Sequence, residues 1–209
     1  MHERVLPSGS RRLLDALAAE QPALLDGWIL AGGTGLALHL GHRVSEDFDF
    51  FRGDPFDVPN LARRLAALGP YEALRESDLD LTALVSGVKL SFFVVDEPLL
   101  RTPREFRWLL VADVADIALM KLVAVAGRGS RKDFVDLYFI LREGPPLEDY
   151  FALLPEKYGE GRVNSYHVLK SLTYFVDADR EPETVMLVPF QWEECKRFFV
   201  REAHRIVLP

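Results

Sequence analysis

Apolar positions in this chain recur at helical spacing near its start, alternate with polar ones through its middle, and return to helical spacing in its last third. Leu13, Leu14, Leu17 and Ala18 share one face, which predicts an amphipathic helix over residues 11–20. Pro22 and Gly27 bracket its exit, and Trp28-Ile29-Leu30-Ala31 predicts a short buried strand. Gly32-Gly33-Thr34-Gly35 reads as a turn before a short apolar helix over 36–40. From Ser45 to Phe51 polar and apolar residues alternate, and side chains two apart on a strand point to the same face. Ser45, Asp47 and Asp49 therefore share one face, while Phe48 and Phe50 bury on the other.

A second amphipathic helix is expected over 57–68, ended by Gly69-Pro70. Three strands follow, at 71–76, 80–85 and 88–95, with Ser86-Gly87 as the hairpin turn between the last two. In the third, Lys89, Ser91 and Phe93 share a face opposite Leu90 and Phe92. A short strand at 106–111 precedes a helix over 114–127 with Asp113 as its N-cap, and another helix covers 131–143. Beyond Gly144-Pro145-Pro146 the pattern becomes helices joined by turns, at 147–158, 165–175 and 191–204. The expected fold is α+β (α/β mixed), with a mixed or antiparallel sheet in a core over 1–143 and a helical C-terminal region over 144–209.

Composition narrows the function. Hydrophobic residues at 49% and charged residues at 27% are ordinary for a globular protein. A net charge of −7 opposes broad binding to a phosphate backbone but leaves room for a local basic patch. Cys195 is the single cysteine, so no intramolecular disulfide can form, and Glu193, Glu194 and Lys196 around it make no nucleophile motif. The first residues lack the apolar core of a signal peptide, and no apolar run approaches the ~18 residues of a membrane span. A cytoplasmic location and no membrane partner are the expectation.

The candidate chemistry starts with Asp47 and Asp49. Carboxylates side by side repel unless a cation lies between them, and Mg²⁺ takes one or two protein carboxylates plus phosphate oxygens. Glycines between a strand and a helix let backbone N–H groups approach an anion, although such turns are also common without one. From Ile117 to Ala126 the only polar residue is Lys121, which either snorkels to solvent or meets a partner in the interior. Asp133 and Asp136 share a helix face, and Asp133 also suits the helix dipole. Tyr158, Arg162, Tyr166, His167, Lys170 and Tyr174 either serve a substrate or pack, with packing expected.

Taken together, Gly32-Gly33-Thr34, then His42-Arg43-x-Ser45-x-Asp47-x-Asp49, then Asp116-x-x-x-x-Lys121, then Arg128-x-x-x-Lys132-Asp133-x-x-Asp136-Leu137 resemble the AbiEii/AbiGii nucleotidyltransferase-like toxin family of the DNA polymerase β-like superfamily. The resemblance runs from about Trp28 to Leu141. It implies a glycine turn that cradles triphosphate, with Gly32, Gly33, Thr34, Arg43, Ser45 and Arg128 as nucleotide or phosphate contacts. It implies Asp47 and Asp49 as ligands of Mg²⁺ (or Mn²⁺), Lys121 as the essential lysine, and Asp133 and Asp136 as the family's Asp-x-x-Asp. The implied activity is metal-dependent transfer of a nucleotide from a nucleoside triphosphate to an acceptor, in some members a tRNA end. The implied setting is a toxin–antitoxin or abortive-infection system whose antitoxin is a separate protein.

One departure stands out. A third carboxylate is expected on the strand at 88–92, where Ser91 stands, and Asp80 is a candidate substitute. That leaves a one-metal site, a site completed by Asp133 or Asp136, or an inactive relative. The alternatives to nucleotidyl transfer are accordingly an inactive partner-binding protein of the same fold and a metal-dependent phosphohydrolase.

Overall fold

The structure, a computed structural model, describes residues 1–19 and 22–207. The chain divides into two compact units, one of Met1–Glu97 with Thr102–Ala112, the other of Pro98–Arg101 with Asp113–Pro209. Among the described residues no helix is long and apolar enough to cross a membrane.

The first unit is built on a sheet of seven strands among the described residues: β1 (Ile29–Ala31), β2 (Phe48–Arg52), β3 (Tyr71–Glu76), β4 (Asp80–Val85), β5 (Val88–Val94), β6 (Arg104–Phe106) and β7 (Leu109–Val111). Their order is β3-β4-β5-β2-β1-β7-β6. Neighbours run antiparallel except β2 with β5 and β1 with β7, so the sheet is mixed. Three helices belong to this unit: α1 (Ser8–Ala19), α2 (Gly32–Leu40) and α3 (Val58–Ala66).

Alternation places the core on one face of the sheet. Phe48 and Phe50 of β2, Leu90 and Phe92 of β5, and Leu81, Ala83 and Val85 of β4 are fully buried. The Phe50 and Phe92 rings stack at 5.2 Å and Trp28 meets Phe92 edge-on at 5.0 Å. Burying each such ring contributes about 1.5–3 kcal/mol, and Leu14, Leu17, Leu61 and Leu65 of α1 and α3 join the same cluster. A slip of one residue in β2 would turn its phenylalanines to solvent and its carboxylates into this core, which locks the register.

Most expected boundaries hold within a residue or two, and the departures have causes. The helix expected over 11–20 begins earlier, at Ser8, and Glu20 lies outside the described residues. The glycines read as a turn are instead the first residues of α2, with Gly32 entering at φ +61°. The strand expected from Ser45 starts at Phe48, because Ser45 and Asp47 are drawn onto α2 by Thr34. The single strand expected at 106–111 is a hairpin, β6 and β7, turning at Arg107 with φ +55°. Ion pairs from Arg107 to Asp15 at 2.7 Å and to Glu3 at 3.6 Å hold that turn. The hairpin at Ser86-Gly87 has positive φ at both residues, as a tight two-residue connection requires.

The second unit is helical: α4 (Val114–Gly127), α5 (Arg131–Glu143), α6 (Leu147–Tyr158), α7 (Ser165–Ser171) and α8 (Trp192–Ala203). α4 packs with α5, α6 and α7, and α5 with α8, and this compact unit takes in the chain from Asp113 onward. Asp113 caps α4 as expected, its side chain accepting from the Ala115 N–H at 3.0 Å. Phe134 centres an aromatic cluster with Phe175, Trp192 and Phe199. The helix expected over 165–175 stops at Ser171, and packing is carried by Val168 and Leu172, both buried. Tyr166 and Tyr174 therefore face solvent, at 72% and 55% exposure, against the expectation that they pack.

Residues 98–101 belong to this unit because two buried charges hold them. Asp116 accepts from the N–H groups of Leu100 and Arg101 at 2.9 and 3.0 Å, and the Lys157 ammonium donates to Asp116 at 2.8 Å and to the Pro98 carbonyl at 2.9 Å. Asp116→Ala strands a buried ammonium and two N–H groups, and is expected to lower stability by about 3–5 kcal/mol. Urea unfolding reads this, with the Asp116→Leu/Lys157→Met double variant expected to recover part of the loss.

Candidate functional site

The sheet unit assembles its polar cluster around the start of α2. Ala31, the residue before that helix, supplies no side-chain cap, and the first turn contains no acidic residue. Two glycines stand there because neighbouring side chains occupy the space a Cβ would need. A Cβ on Gly32 would lie 2.6 Å from Asp49 Oδ2, and one on Gly33 would collide with the guanidinium of Arg43. Ser45 Oγ lies 3.6 Å from that same Gly33 position. Asp49, Arg43 and Ser45 thus converge on one helix turn.

Thr34 ties the approach segment down. Its buried hydroxyl donates to the Asp47 carbonyl and bonds the Ser45 hydroxyl at 2.7 Å. Arg43 is almost wholly buried, donating to the Val44 carbonyl at 3.0 Å. Both were read from the sequence as phosphate contacts. In the fold, Thr34 shapes the loop and Arg43 fills it.

Asp49 projects from the face of β2 opposite Phe48 and Phe50, and Asp47 lies just before that strand. Asp47 is half-exposed and pairs with Lys89 of β5, Nζ to Oδ2 at 2.9 Å. The parallel register sets Ser91 directly beside Asp49. No carboxylate therefore stands at the neighbouring strand position where a third was expected. Asp80 sits opposite Phe93, and its carboxylate is engaged by Arg75 at 2.9 Å and Ser77 at 2.7 Å. Among the described residues no three His, Cys, Asp or Glu side chains form a metal-ligating group. Lys89 was missed as a site residue, although its place on the face of Ser91 was legible from alternation.

The helical unit holds the second cluster. The Lys121 ammonium, 5% exposed, contacts Asp133 Oδ1 at 2.7 Å and Asp136 Oδ2 at 2.6 Å. Lys121 therefore does not snorkel. Arg128 donates to both Asp133 oxygens, at 2.7 and 3.0 Å, and Ser130 Oγ adds a bond at 3.0 Å. Burial pushes the Asp133 carboxyl up, but Lys121 and Arg128 outweigh it and hold it below the ordinary value of 3.8. Two cations and two carboxylates balance, and only Arg128, 67% exposed, carries the cluster to solvent. Cys195 is buried under α5 beside the Phe134 carbonyl, and burial raises its thiol so far that it stays protonated.

Comparison with known proteins bears on the family and the fold. The chain matches the family profile described as "Nucleotidyl transferase AbiEii toxin, Type IV TA system" over residues 12–83 and 88–205. An uncharacterized protein of Aquifex aeolicus is 42% identical over 178 residues, spanning 83% of this chain and 84% of that one. Among solved structures, a putative nucleotidyltransferase from Helicobacter pylori aligns with a TM-score of 0.58 at 18% identity, covering 95% of each chain. The nucleotidyltransferase toxin MenT4 of Mycobacterium tuberculosis aligns with a TM-score of 0.51 at 15% identity, covering 96% of this chain and 87% of its own. At these identities the two structures establish the fold.

Gly32→Ala places a side chain at positive φ against the Asp49 carboxylate, and is expected to cost about 1–2 kcal/mol in chemical denaturation. Asp133 is lowered by folding, so its contribution is complete above the ordinary carboxylate value near 3.8 and fades as pH falls below it. The destabilisation caused by Asp133→Asn should accordingly be large at pH 7 and shrink by pH 3, as read by urea unfolding at both.

Proposed function

The chain belongs to the AbiEii family of nucleotidyltransferase toxins, and from that premise we propose that it transfers a nucleotide from a nucleoside triphosphate to an RNA acceptor, with Mg²⁺ or Mn²⁺ as cofactor. The carrying observation is Asp49 on β2 with Asp47 just before it, beside a helix whose first two residues, Gly32 and Gly33, carry no side chains of their own.

The donor set fits the cofactor. Mg²⁺ takes one or two protein carboxylates and completes its shell from water and substrate phosphates, which suits two aspartates with no third beside them. Asp47 and Asp49 would hold it, and when bound it neutralises charge on the phosphates and the departing pyrophosphate.

The remaining work falls to the chain. Backbone N–H groups at the start of α2 and the Ser45 hydroxyl orient the triphosphate, using the positive end of the helix. Thr34 and Arg43 keep that turn rigid from beneath, so the donors are set before substrate arrives. Within the helical unit, Lys121, Asp133 and Asp136 form a neutral, preformed cluster whose exposed member is Arg128. An acceptor hydroxyl attacks the α-phosphate, one phosphorus–oxygen bond forms, and the bond to pyrophosphate breaks.

An RNA acceptor is favoured by the surface around α7. Residues 161–176 hold no acidic residue in an otherwise acidic chain. Tyr166, Tyr174, Arg162 and Lys170 are exposed there, the mixture of stacking rings and cations that single-stranded nucleic acid uses. A separate antitoxin protein is the partner that a toxin of this kind implies.

Asp49→Asn should reduce metal-dependent transfer of labelled nucleotide to total RNA by roughly 10²-fold or more while leaving thermal unfolding unchanged. Transfer at the wild-type rate would sink the assignment.

A further inference from the structure

Resting on the nucleotidyl-transfer reading, the geometry points to a role for Lys89: we infer that its ammonium competes with the divalent ion for Asp47 and, once displaced, becomes a counter-ion of the triphosphate. Lys89 would thereby couple the two ligands, so that metal alone binds weakly and metal with nucleotide binds tightly.

Three observations carry this. The Lys89 ammonium lies 2.9 Å from Asp47 Oδ2, on one of the two carboxylates that would hold the ion. A cation there and a divalent metal cannot both hold that oxygen closely, because their charges repel. Second, the register leaves Lys89 and Ser91 on the row of β5 that runs beside Asp47 and Asp49. Where a third carboxylate would add negative charge, this strand supplies a positive one. Lys89 and the Arg43 guanidinium at the same turn offset the two aspartates, which leaves a weak attraction for a bare divalent ion.

The third observation is exposure. The side chains of Lys89 and Asp47 are 39% and 43% exposed, so their pair is solvated and its loss costs little. Lysine is a compact charge on a flexible four-carbon stem, which lets the ammonium leave Asp47 and meet another anion nearby. A triphosphate delivers several negative charges to that place, so displacement from Asp47 leaves Lys89 with a stronger partner. Arg43 cannot take this part, because it is almost wholly buried against Gly33. A purely structural salt bridge would behave differently, since its removal would disorder Asp47 and weaken metal and nucleotide alike.

The test uses the full chain and three variants, Lys89→Ala, Lys89→Arg and Asp49→Asn. Free Mn²⁺ is followed by electron paramagnetic resonance, and a non-transferable triphosphate analogue with Mn²⁺ by calorimetry. Lys89→Ala should tighten Mn²⁺ alone by about two- to fivefold, the range an exposed ion pair contributes. The same variant should weaken the analogue by about tenfold or more, the lower range for a charge-assisted contact to phosphate. Lys89→Arg should restore analogue binding. Because Lys89 is half-exposed, thermal unfolding should be the same for all three forms at this position.

Opposite signs for the two ligands support the inference. Mn²⁺ affinity that is unchanged or weaker in Lys89→Ala overturns it, as does unchanged analogue affinity. If wild type binds Mn²⁺, Asp49→Asn abolishes this and Lys89→Ala has no effect, only the Lys89 inference fails. If wild type shows no Mn²⁺ binding that depends on Asp49, both readings fail together.

Discussion

The burial of Phe48 and Phe50 is the constraint on which the rest of the sheet unit depends. Both rings enter the core from one face of β2, and strand geometry then sends the residues between and before them to the other face. Asp49 is turned to the opposite face as a consequence of where the phenylalanines go, and Asp47, just before the strand, is held by Thr34 and Lys89. The same rule acting on β5 buries Leu90 and Phe92 and lays Lys89 and Ser91 alongside the carboxylates. Core packing thus sets the composition of the polar face, and the parallel pairing of β2 with β5 sets which residues meet on it.

Charge is handled in two contrasting ways. In the helical unit, buried carboxylates are matched oxygen by oxygen: Asp133 and Asp136 by Lys121, Arg128 and Ser130, and Asp116 by Lys157 and two backbone N–H groups. Such matching is obligatory, since an uncompensated charge in that interior would cost several kcal/mol. On the sheet unit, Asp47 keeps one half-exposed partner and remains open to exchange. The first arrangement is fixed by burial, and the second is solvated.

The start of α2 joins these themes. A helix N-terminus attracts anions, and a glycine pair keeps this one clear of its own side chains while Asp49 and Arg43 close in on it. Thr34 holds the loop that carries Ser45 and Asp47 against the same helix. Preorganisation of this kind is what phosphoryl chemistry asks of a protein, because little covalent work falls to the side chains. Membership of the AbiEii family and this local geometry therefore support one account from separate directions.

Much of this was legible in the sequence. Alternation at 48–51 and 88–93 is a local property, and so are the β4–β5 hairpin, the Asp113 cap and the helices α4 to α6. The same alternation named Asp47 and Asp49 as neighbours, and the apolar run around Lys121 marked a buried ammonium before its partners were visible. What local pattern could not supply was pairing across long separations. The strand order, the placement of Ser91 beside Asp49, and the ion pair of Lys89 with Asp47 depend on which strands meet. Lys157 looks like an ordinary helix lysine until the fold brings it to Asp116, and the hydrogen bonds of Thr34 to Ser45 and Asp47 appear only once the loop folds back on α2. The exposure of Tyr166 and Tyr174 was likewise decided by α7 ending at Ser171, which left Val168 and Leu172 to pack in their place. Periodicity along one segment determines which residues face inward, but only the tertiary contacts decide what each of them faces.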